Sequence, residues 1–172
     1  MQKANRILNP VDISHIQACQ YGIKMEAVAV KAFEEQTGLK TERYGLFIYQ
    51  KYPFLGSTPD RLVVKDGILH TLEIKCPFCC KEKEINVSNV PYLYLENGKI
   101  CLEKKAYFAQ IQGQLMCTGL DKAILVVFSN KNIVILDIYR EDRYIQEMED
   151  YLVSFYNDFF KKALLEKYFY RV

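Results

Sequence analysis

Three of the charged residues in one short segment stand within or beside stretches that have the composition of buried strands. Residues 57–76 read STPDRLVVKDGILHTLEIKC, with acids at Asp60 and Glu73 and an amine at Lys75. Two carboxylates beside a hydrophobic core are costly unless a positive charge lies between them. Hard oxygen ligands of this kind suit Mg²⁺ or Mn²⁺ better than zinc. The segment therefore favours a divalent-cation site, whose chemistry would be metal-assisted hydrolysis.

The turn inside this segment predicts how the charges are arranged. Asp66-Gly67 is a strong signal for a two-residue β-hairpin turn. Counting outward from that turn puts Asp60 directly opposite Glu73, with Cβ atoms about 4.5–5.5 Å apart. Because side chains alternate along a strand, Lys75 lies on the same face as Glu73. The spacing also leaves a second interpretation open, in which Lys75 forms an ordinary salt bridge on a solvated sheet face.

Two predicted helices carry polar side chains that could complete such a site. The first, residues 14–36, has an acid, Glu26, on its apolar stripe, which consists of Ile23, Ala27, Val30 and Phe33. The second, residues 104–118, has its own apolar stripe of Phe108, Ile111, Gln112 and Leu115. Beside that stripe lie Tyr107, Gln110 and Gln114, and glutamine amides next to a metal can orient water or phosphate. Solvated helix flanks are the alternative for both polar sets.

The remaining segments place these helices in an α/β fold. Three strands between residues 44 and 76 follow the first helix, and a polar loop follows at residues 77–104, with a hairpin signal at Asn97-Gly98. After the second helix come two apolar strands, residues 123–129 and 132–139, and an aromatic-rich helix over residues 141–168. The predicted order is α-β-β-β-α-β-β-α in a single domain over residues 1–172, with a loop insertion at 77–104.

Composition excludes several classes of protein. The chain has 172 residues, is 50% hydrophobic and carries a net charge of +2, so neither disorder nor a general basic field for nucleic acid is expected. No apolar signal core or run of roughly 20 apolar residues indicates a membrane span, which predicts an intracellular protein of the nucleus or cytoplasm. The six cysteines are expected to be reduced, with a four-thiolate zinc site that includes Cys76 and Cys79 as an alternative.

Four motifs in order give a resemblance to a known family. They are GIKMEAVA (22–29), LGSTPDRLV (55–63), LEIKCP (72–77) and YFAQIQGQLMCTG (107–119). The chain resembles the YqaJ-like and lambda exonuclease branch of the PD-(D/E)XK nucleases. That family has the restriction-endonuclease-like fold, a mixed central sheet flanked by helices.

The resemblance implies roles for the acidic residues and the lysine. Matched residue by residue, Asp60 and Glu73 would ligate Mg²⁺, with Mn²⁺ as a substitute, helped by the backbone carbonyl of Ile74. Lys75 would position or activate the attacking water, and Glu26 would contact a second metal or its water shell.

The resemblance also implies contacts to DNA. Gln110, with Tyr107 nearby, matches the family's glutamine motif and would steady the nucleophile or the scissile phosphate. Gln112 and Gln114 match supporting positions. Arg61 departs from the family by standing where glycine often follows the PD pair, so it would either contact DNA or be exposed on the sheet. The family's upstream segment, which helps to hold the DNA end, is expected to be largely absent from this chain.

The implied function is a Mg²⁺-dependent DNA nuclease, most simply an exonuclease on duplex ends that acts in recombination, repair or the processing of viral or mobile-element DNA. The implied partner is double-stranded DNA with free ends, and the implied assembly is a ring-shaped trimer. Two alternatives remain open: a nuclease-derived module that binds DNA or a partner without cutting, and a structure-specific endonuclease.

Overall fold

The computed structural model describes residues 2–169 and has a mixed sheet at its centre. The strands of the central sheet are β1 (Thr41–Glu42), β4 (Arg61–Lys65), β5 (Ile68–Lys75), β8 (Lys122–Phe128) and β9 (Ile133–Tyr139). Their order across the sheet is β1-β4-β5-β8-β9; β5 and β8 are parallel, and the other neighbours are antiparallel. The predicted α/β class and mixed sheet are confirmed.

Two short antiparallel pairs lie outside the central sheet. They are β2 (Phe47–Ile48) with β3 (Gly56–Ser57), and β6 (Leu93–Glu96) with β7 (Lys99–Leu102). The sequence predicts three strands between residues 44 and 76, and the structure has four there, two of which are only two residues long. The β6–β7 pair is the hairpin predicted within the long polar loop.

The helices follow the predicted order, with one addition at the start of the chain. They are α1 (Gln2–Leu8), α2 (Gln17–Thr37), α3 (Ala106–Thr118), α4 (Asp142–Phe155) and α5 (Lys161–Tyr168). The sequence patterns did not predict α1. A π-helical turn, Tyr156–Phe160, divides the predicted final helix into α4 and α5. Within residues 2–169, no helix combines the length and the hydropathy that a membrane span requires.

The Asp66-Gly67 turn fixes the register of β4 and β5 as predicted. Both residues have positive φ angles, 54° for Asp66 and 74° for Gly67, as a type I′ turn requires. Val64 pairs with Leu69, and two residues further from the turn Leu62 pairs with Thr71. Because the register holds along the whole of β4, the residue just before that strand is carried opposite Glu73.

The two faces of the sheet are covered by different helices. On one face α2 packs on Leu72 and Ile74 of β5. On the other face α3 packs on Ala123 and Leu125 of β8, with Phe108 and Ile111 among its buried residues. Since residues 73 and 75 alternate with residues 72 and 74 along β5, the charged face of β5 lies towards α3.

The apolar stripe predicted for α2 is confirmed for Val30 and Phe33, which pack into the core, and is wrong for Ile23 and Ala27. Ile23 is 76% exposed and Ala27 is also exposed. The buried residues of α2 are Met25, Ala29 and Phe33. These three residues are spaced four apart, and the face of α2 that they form lies on the sheet. As a consequence Ile23 and Glu26 lie at the edge of the helix, beside an open cleft.

A buried carboxylate connects α4 to the segment between β2 and β3. Glu149 is 4% exposed and accepts hydrogen bonds from the Tyr49 hydroxyl and the Lys51 amine. These donors hold the pKa of Glu149 below its usual range. A carboxyl whose pKa is lower in the folded state stabilises the fold above its unfolded pKa, and that contribution is lost as the pH falls through the folded value.

We expect Glu149→Gln to lower the free energy of unfolding at pH 7 by about 1–3 kcal/mol, because two donors lose a charged acceptor. Urea unfolding of both proteins at pH 7 and at about pH 3 measures the effect. The difference between the two proteins should shrink at the lower pH, because the Glu149 carboxyl of the unfolded chain is protonated there. An equal difference at both pH values would contradict this account.

Candidate active site

Seven of the ten residues predicted to form the site line one cleft. They are Glu26, Asp60, Glu73, Ile74, Lys75, Tyr107 and Gln110. The cleft has a volume of about 460 Å³ and lies where the end of β5 meets α2 and α3. Elements that are far apart in the chain therefore bring the predicted acidic, basic and amide groups to one place.

Asp60 lies immediately before β4, and the register of the hairpin places it opposite Glu73. Its Oδ2 accepts a hydrogen bond from the backbone N–H of Ile74 at 2.8 Å. Burial, followed by the charge of Glu73, raises the pKa of Asp60 to about 6. The sequence suggested the same cause, namely two carboxylates that share a poorly solvated position. A cation between them would relieve that repulsion.

Glu73 is held in one orientation by three donors. It is only 2% exposed. Its Oε1 accepts from Lys75 Nζ at 2.5 Å and from Gln110 Nε2 at 2.7 Å. Its Oε2 accepts from Gln114 Nε2 at 2.6 Å. A carboxylate offers about four lone-pair positions, so these three donors leave room for one further partner.

Residue spacing left open that Lys75 forms an ordinary salt bridge on a solvated sheet face. The pair is present, but it is not on a solvated face, since the side chains are 19% and 2% exposed. Lys75 Nζ also lies 4.8 Å from the centre of the Tyr107 ring, a favourable position for a cation. Lys75 is thus fixed between an acid and an aromatic ring inside the cleft.

Tyr92 is a residue of the cleft that sequence reasoning missed. It comes from the long loop, just before β6, and its ring meets that of Tyr107 edge-on at a centroid distance of 4.7 Å. Burial, with a smaller effect of Tyr107, raises the pKa of Tyr92. No spacing pattern in the loop distinguishes Tyr92 from its neighbours, so only the folded path of the loop identifies it.

Arg61 is a buried residue of the sheet. It pairs with Leu72 in the sheet, as predicted, but it is 8% exposed because α2 covers that face. Its Nη1 donates to Glu26 Oε1 at 3.0 Å and to the backbone carbonyl of Asp60 at 2.5 Å. The predicted exposed position is therefore wrong. The guanidinium is directed into the protein, and the DNA contact predicted for it stays a prediction.

Two of the predicted glutamines are buried and do not face the cleft. Gln112 is 0% exposed; its Nε2 donates to the Tyr139 carbonyl at 2.8 Å, and its Oε1 accepts from the Glu141 N–H at 2.9 Å. Gln114 is 1% exposed and donates to Glu73. Both amides are bonded inside the protein, and the DNA contacts predicted for these residues stay predictions. Gln112 links α3 to the β9–α4 connection by hydrogen bonds, and Gln114 helps to hold the Glu73 carboxylate in place.

Comparison with known proteins identifies the family of this chain. Residues 1–121 match the profile of the YqaJ-like viral recombinase domain. The chain belongs to this family. The resemblance drawn from the sequence motifs is confirmed, and with it the prediction of a deoxyribonuclease. No curated protein sequence was found to match the chain.

Solved structures show the same fold as this YqaJ-like domain. An alkaline exonuclease from Laribacter hongkongensis aligns with a TM-score of 0.70 at 24% identity, covering 94% of this chain and 76% of that one. Its complex with dAMP aligns with a TM-score of 0.71 at 25% identity, covering 94% and 78%. A phage-related exonuclease from Haemophilus somnus aligns with a TM-score of 0.69 at 15% identity, covering 96% and 80%.

The oxygen atoms in the cleft of the YqaJ-like domain fit a small hard cation. In residues 2–169, no three His, Cys, Asp or Glu side chains are grouped closely enough to hold a metal ion on their own. Mg²⁺ in proteins usually keeps several waters and is bound through one or two carboxylates and the substrate phosphate. Asp60 and Glu73 supply two carboxylates of this kind. The same observation counts against a four-thiolate zinc site in that part of the chain.

Two cysteines line the cleft, and one of them, Cys76, is a thiol with a raised pKa. All six cysteines are free, and Cys19 and Cys76 line the cleft. Burial raises the pKa of Cys76 to about 12, so this thiol stays protonated at neutral pH. The sulfur atoms of Cys79 and Cys80 lie 3.8 Å apart on the neighbouring loop.

Proposed function

We propose that this YqaJ-like domain is a Mg²⁺-dependent exonuclease that hydrolyses phosphodiester bonds from the ends of duplex DNA. One observation carries the proposal: Asp60, Glu73 and Lys75 line one cleft at the end of β5, where burial and then the charge of Glu73 raise the pKa of Asp60. The structural neighbours support it, since they are exonucleases, one of them solved with dAMP. The biological setting that fits is recombination, repair or processing of viral or mobile-element DNA.

The metal in this proposal is held by Asp60, Glu73 and the backbone carbonyl of Ile74. When bound, Mg²⁺ would lower the pKa of a water molecule and offset the charge that grows on the phosphate. The protein groups do the positioning. Glu73 is fixed by its three donors, and Lys75, held by Glu73 and the Tyr107 ring, orients the attacking water.

The amide of Gln110 supplies the remaining polar contact in the proposed site. It lies at the exposed side of α3 and already donates to Glu73 at 2.7 Å. From there it steadies the water or the scissile phosphate. No side chain of the protein needs to form a covalent intermediate, because the nucleophile is water.

The experiment that tests the function compares end-labelled linear duplex DNA with closed circular duplex DNA. With Mg²⁺ we expect the linear substrate to be degraded and the circular one to stay intact. EDTA should stop degradation, and excess Mg²⁺ should restore it. Cleavage of both substrates at equal rates would instead favour the endonuclease alternative. Binding of DNA without cleavage in Mg²⁺ or Mn²⁺ would favour the non-cleaving module.

A further inference from the structure

A buried cation lies immediately beside the proposed metal site. Arg61 follows Asp60 in the chain, is 8% exposed, and donates through one nitrogen atom to Glu26 Oε1 and to the Asp60 carbonyl. Arg43 Nη2 lies 3.5 Å from the same oxygen of Glu26, but its side chain is 74% exposed. Glu26 therefore has one buried and one exposed cationic partner.

The buried partner binds Glu26 more firmly than the exposed one does. Taking a guanidinium out of water is costly, and the cost is offset only while a carboxylate remains next to it. If Glu26 turned away to ligate a metal ion, Arg61 would be left as a buried charge without that carboxylate. An exposed ion pair such as that of Arg43 contributes little by comparison.

The position of the guanidinium also opposes a second metal ion. Any ion bound to Glu26 Oε1 would approach the positive charge of Arg61, which lies 3.0 Å from that oxygen. Two cations that share one carboxylate oxygen lie close together and repel each other. The described part of the chain also offers no cluster of three acidic, histidine or cysteine side chains that would outweigh this repulsion.

We propose that Arg61 takes the place of a second metal ion, so that the active site binds a single divalent cation, at Asp60 and Glu73. Arg61 is in this view a positioning residue. It holds Glu26, offsets its charge, and anchors the backbone of Asp60 through the carbonyl. The inference rests on the proposed function, and it removes Glu26 from the set of metal ligands.

Binding of Mn²⁺ tests the proposal without any need for activity. We would titrate the full chain with Mn²⁺, without DNA, and count bound ions by electron paramagnetic resonance. The wild type should bind one ion per chain, and Glu26→Gln should still bind one. Arg61→Gly, which frees Glu26, should bind a second ion, whereas Arg61→Lys, which keeps a cation, should remain at one.

Two results would overturn the proposal. The first is two ions per wild-type chain, with the count falling to one in Glu26→Gln. The second is a count of one in Arg61→Gly, provided that its circular dichroism and thermal unfolding match those of the wild type. If Arg61→Gly does not fold, the wild-type and Glu26→Gln counts still decide the matter.

The cleavage assay separates this inference from the proposed function. Degradation of linear duplex DNA by a wild-type protein that binds two ions would refute the single-ion site and leave the nuclease function in place. A wild-type protein that neither binds Mn²⁺ nor degrades DNA would refute both.

Discussion

Replacing Asp60 by asparagine should abolish DNA cleavage while leaving the fold intact. Asparagine has the same shape and keeps an oxygen that can accept from the Ile74 N–H. It lacks the negative charge that a hard cation requires, and we expect the cleavage rate to fall by about 10²–10³-fold or more, the loss seen when one electrostatic contribution to a transition state is removed. Mn²⁺ binding should be lost in parallel, because only one carboxylate remains at the proposed site.

The same substitution should have the opposite effect on stability. Because burial and Glu73 raise the pKa of Asp60 to about 6, its ionised form costs the folded state free energy at pH 7. We therefore expect Asp60→Asn to unfold at a higher urea concentration than the wild type at pH 7 in metal-free buffer. This gain should fade as the pH falls below the unfolded value, where the acid is protonated in both states.

A matched control is available on the edge of the sheet. Asp137 lies on β9, is partly exposed, and pairs with Lys65 at 2.8 Å. Asp137→Asn makes the same chemical change away from the cleft and should leave cleavage of end-labelled linear duplex DNA at the wild-type rate. Wild-type cleavage by a folded Asp60→Asn protein would remove Asp60 from the mechanism.

Turn chemistry explains why the acidic pair could be predicted from the sequence. An Asp-Gly turn has one preferred geometry, and counting residues from Asp66 puts Asp60 opposite Glu73 without any knowledge of the rest of the fold. The face that carries Glu73 and Lys75 follows from strand alternation alone. Local rules are sufficient wherever the contact is made within one hairpin.

The glutamines show where local periodicity and family resemblance disagree. The apolar stripe of α3 was predicted to include Gln112, which means burial, while the motif match implied a contact with DNA. The structure supports periodicity, since Gln112 bonds two backbone groups in the interior. Gln110, two residues earlier, points to the other side of the helix and reaches Glu73. A helix turns by about 100° per residue, so residues two apart rarely share a role.

Arg61 and Tyr92 could not be placed because their surroundings come from distant parts of the chain. Strand alternation put Arg61 on the Leu72 face, but its burial depends on how α2 is rotated over that face, and the predicted stripe omitted Met25 and Ala29, which face the sheet. Tyr92 reaches the cleft through the path of a long loop. No repeat or turn signal specifies that path, so its contact with Tyr107 becomes visible only in three dimensions.

Replacing Lys75 by alanine should separate catalysis from metal binding. Lys75 is one of three donors to Glu73, and Gln110 and Gln114 remain to hold the acid when the amine is removed. We expect Mn²⁺ binding to persist, and the free energy of unfolding in metal-free buffer to fall by about 3–5 kcal/mol, because the buried Glu73 carboxylate loses its cation. The rate of cleavage should fall by about 10²–10⁴-fold, the usual contribution of a positioned acid–base group.

Lys65→Ala provides the comparison, since it removes an amine from the neighbouring strand β4 that pairs with Asp137 outside the cleft. It should cleave at the wild-type rate. A Lys75→Ala protein that cleaves normally would mean that the pair between Lys75 and Glu73 is an ordinary structural salt bridge, the interpretation that residue spacing alone left open. Loss of Mn²⁺ binding in Lys75→Ala would instead show that the amine assembles the metal site and does not act on the water. Persistent Mn²⁺ binding with lost cleavage is the one outcome that assigns Lys75 to the chemical step.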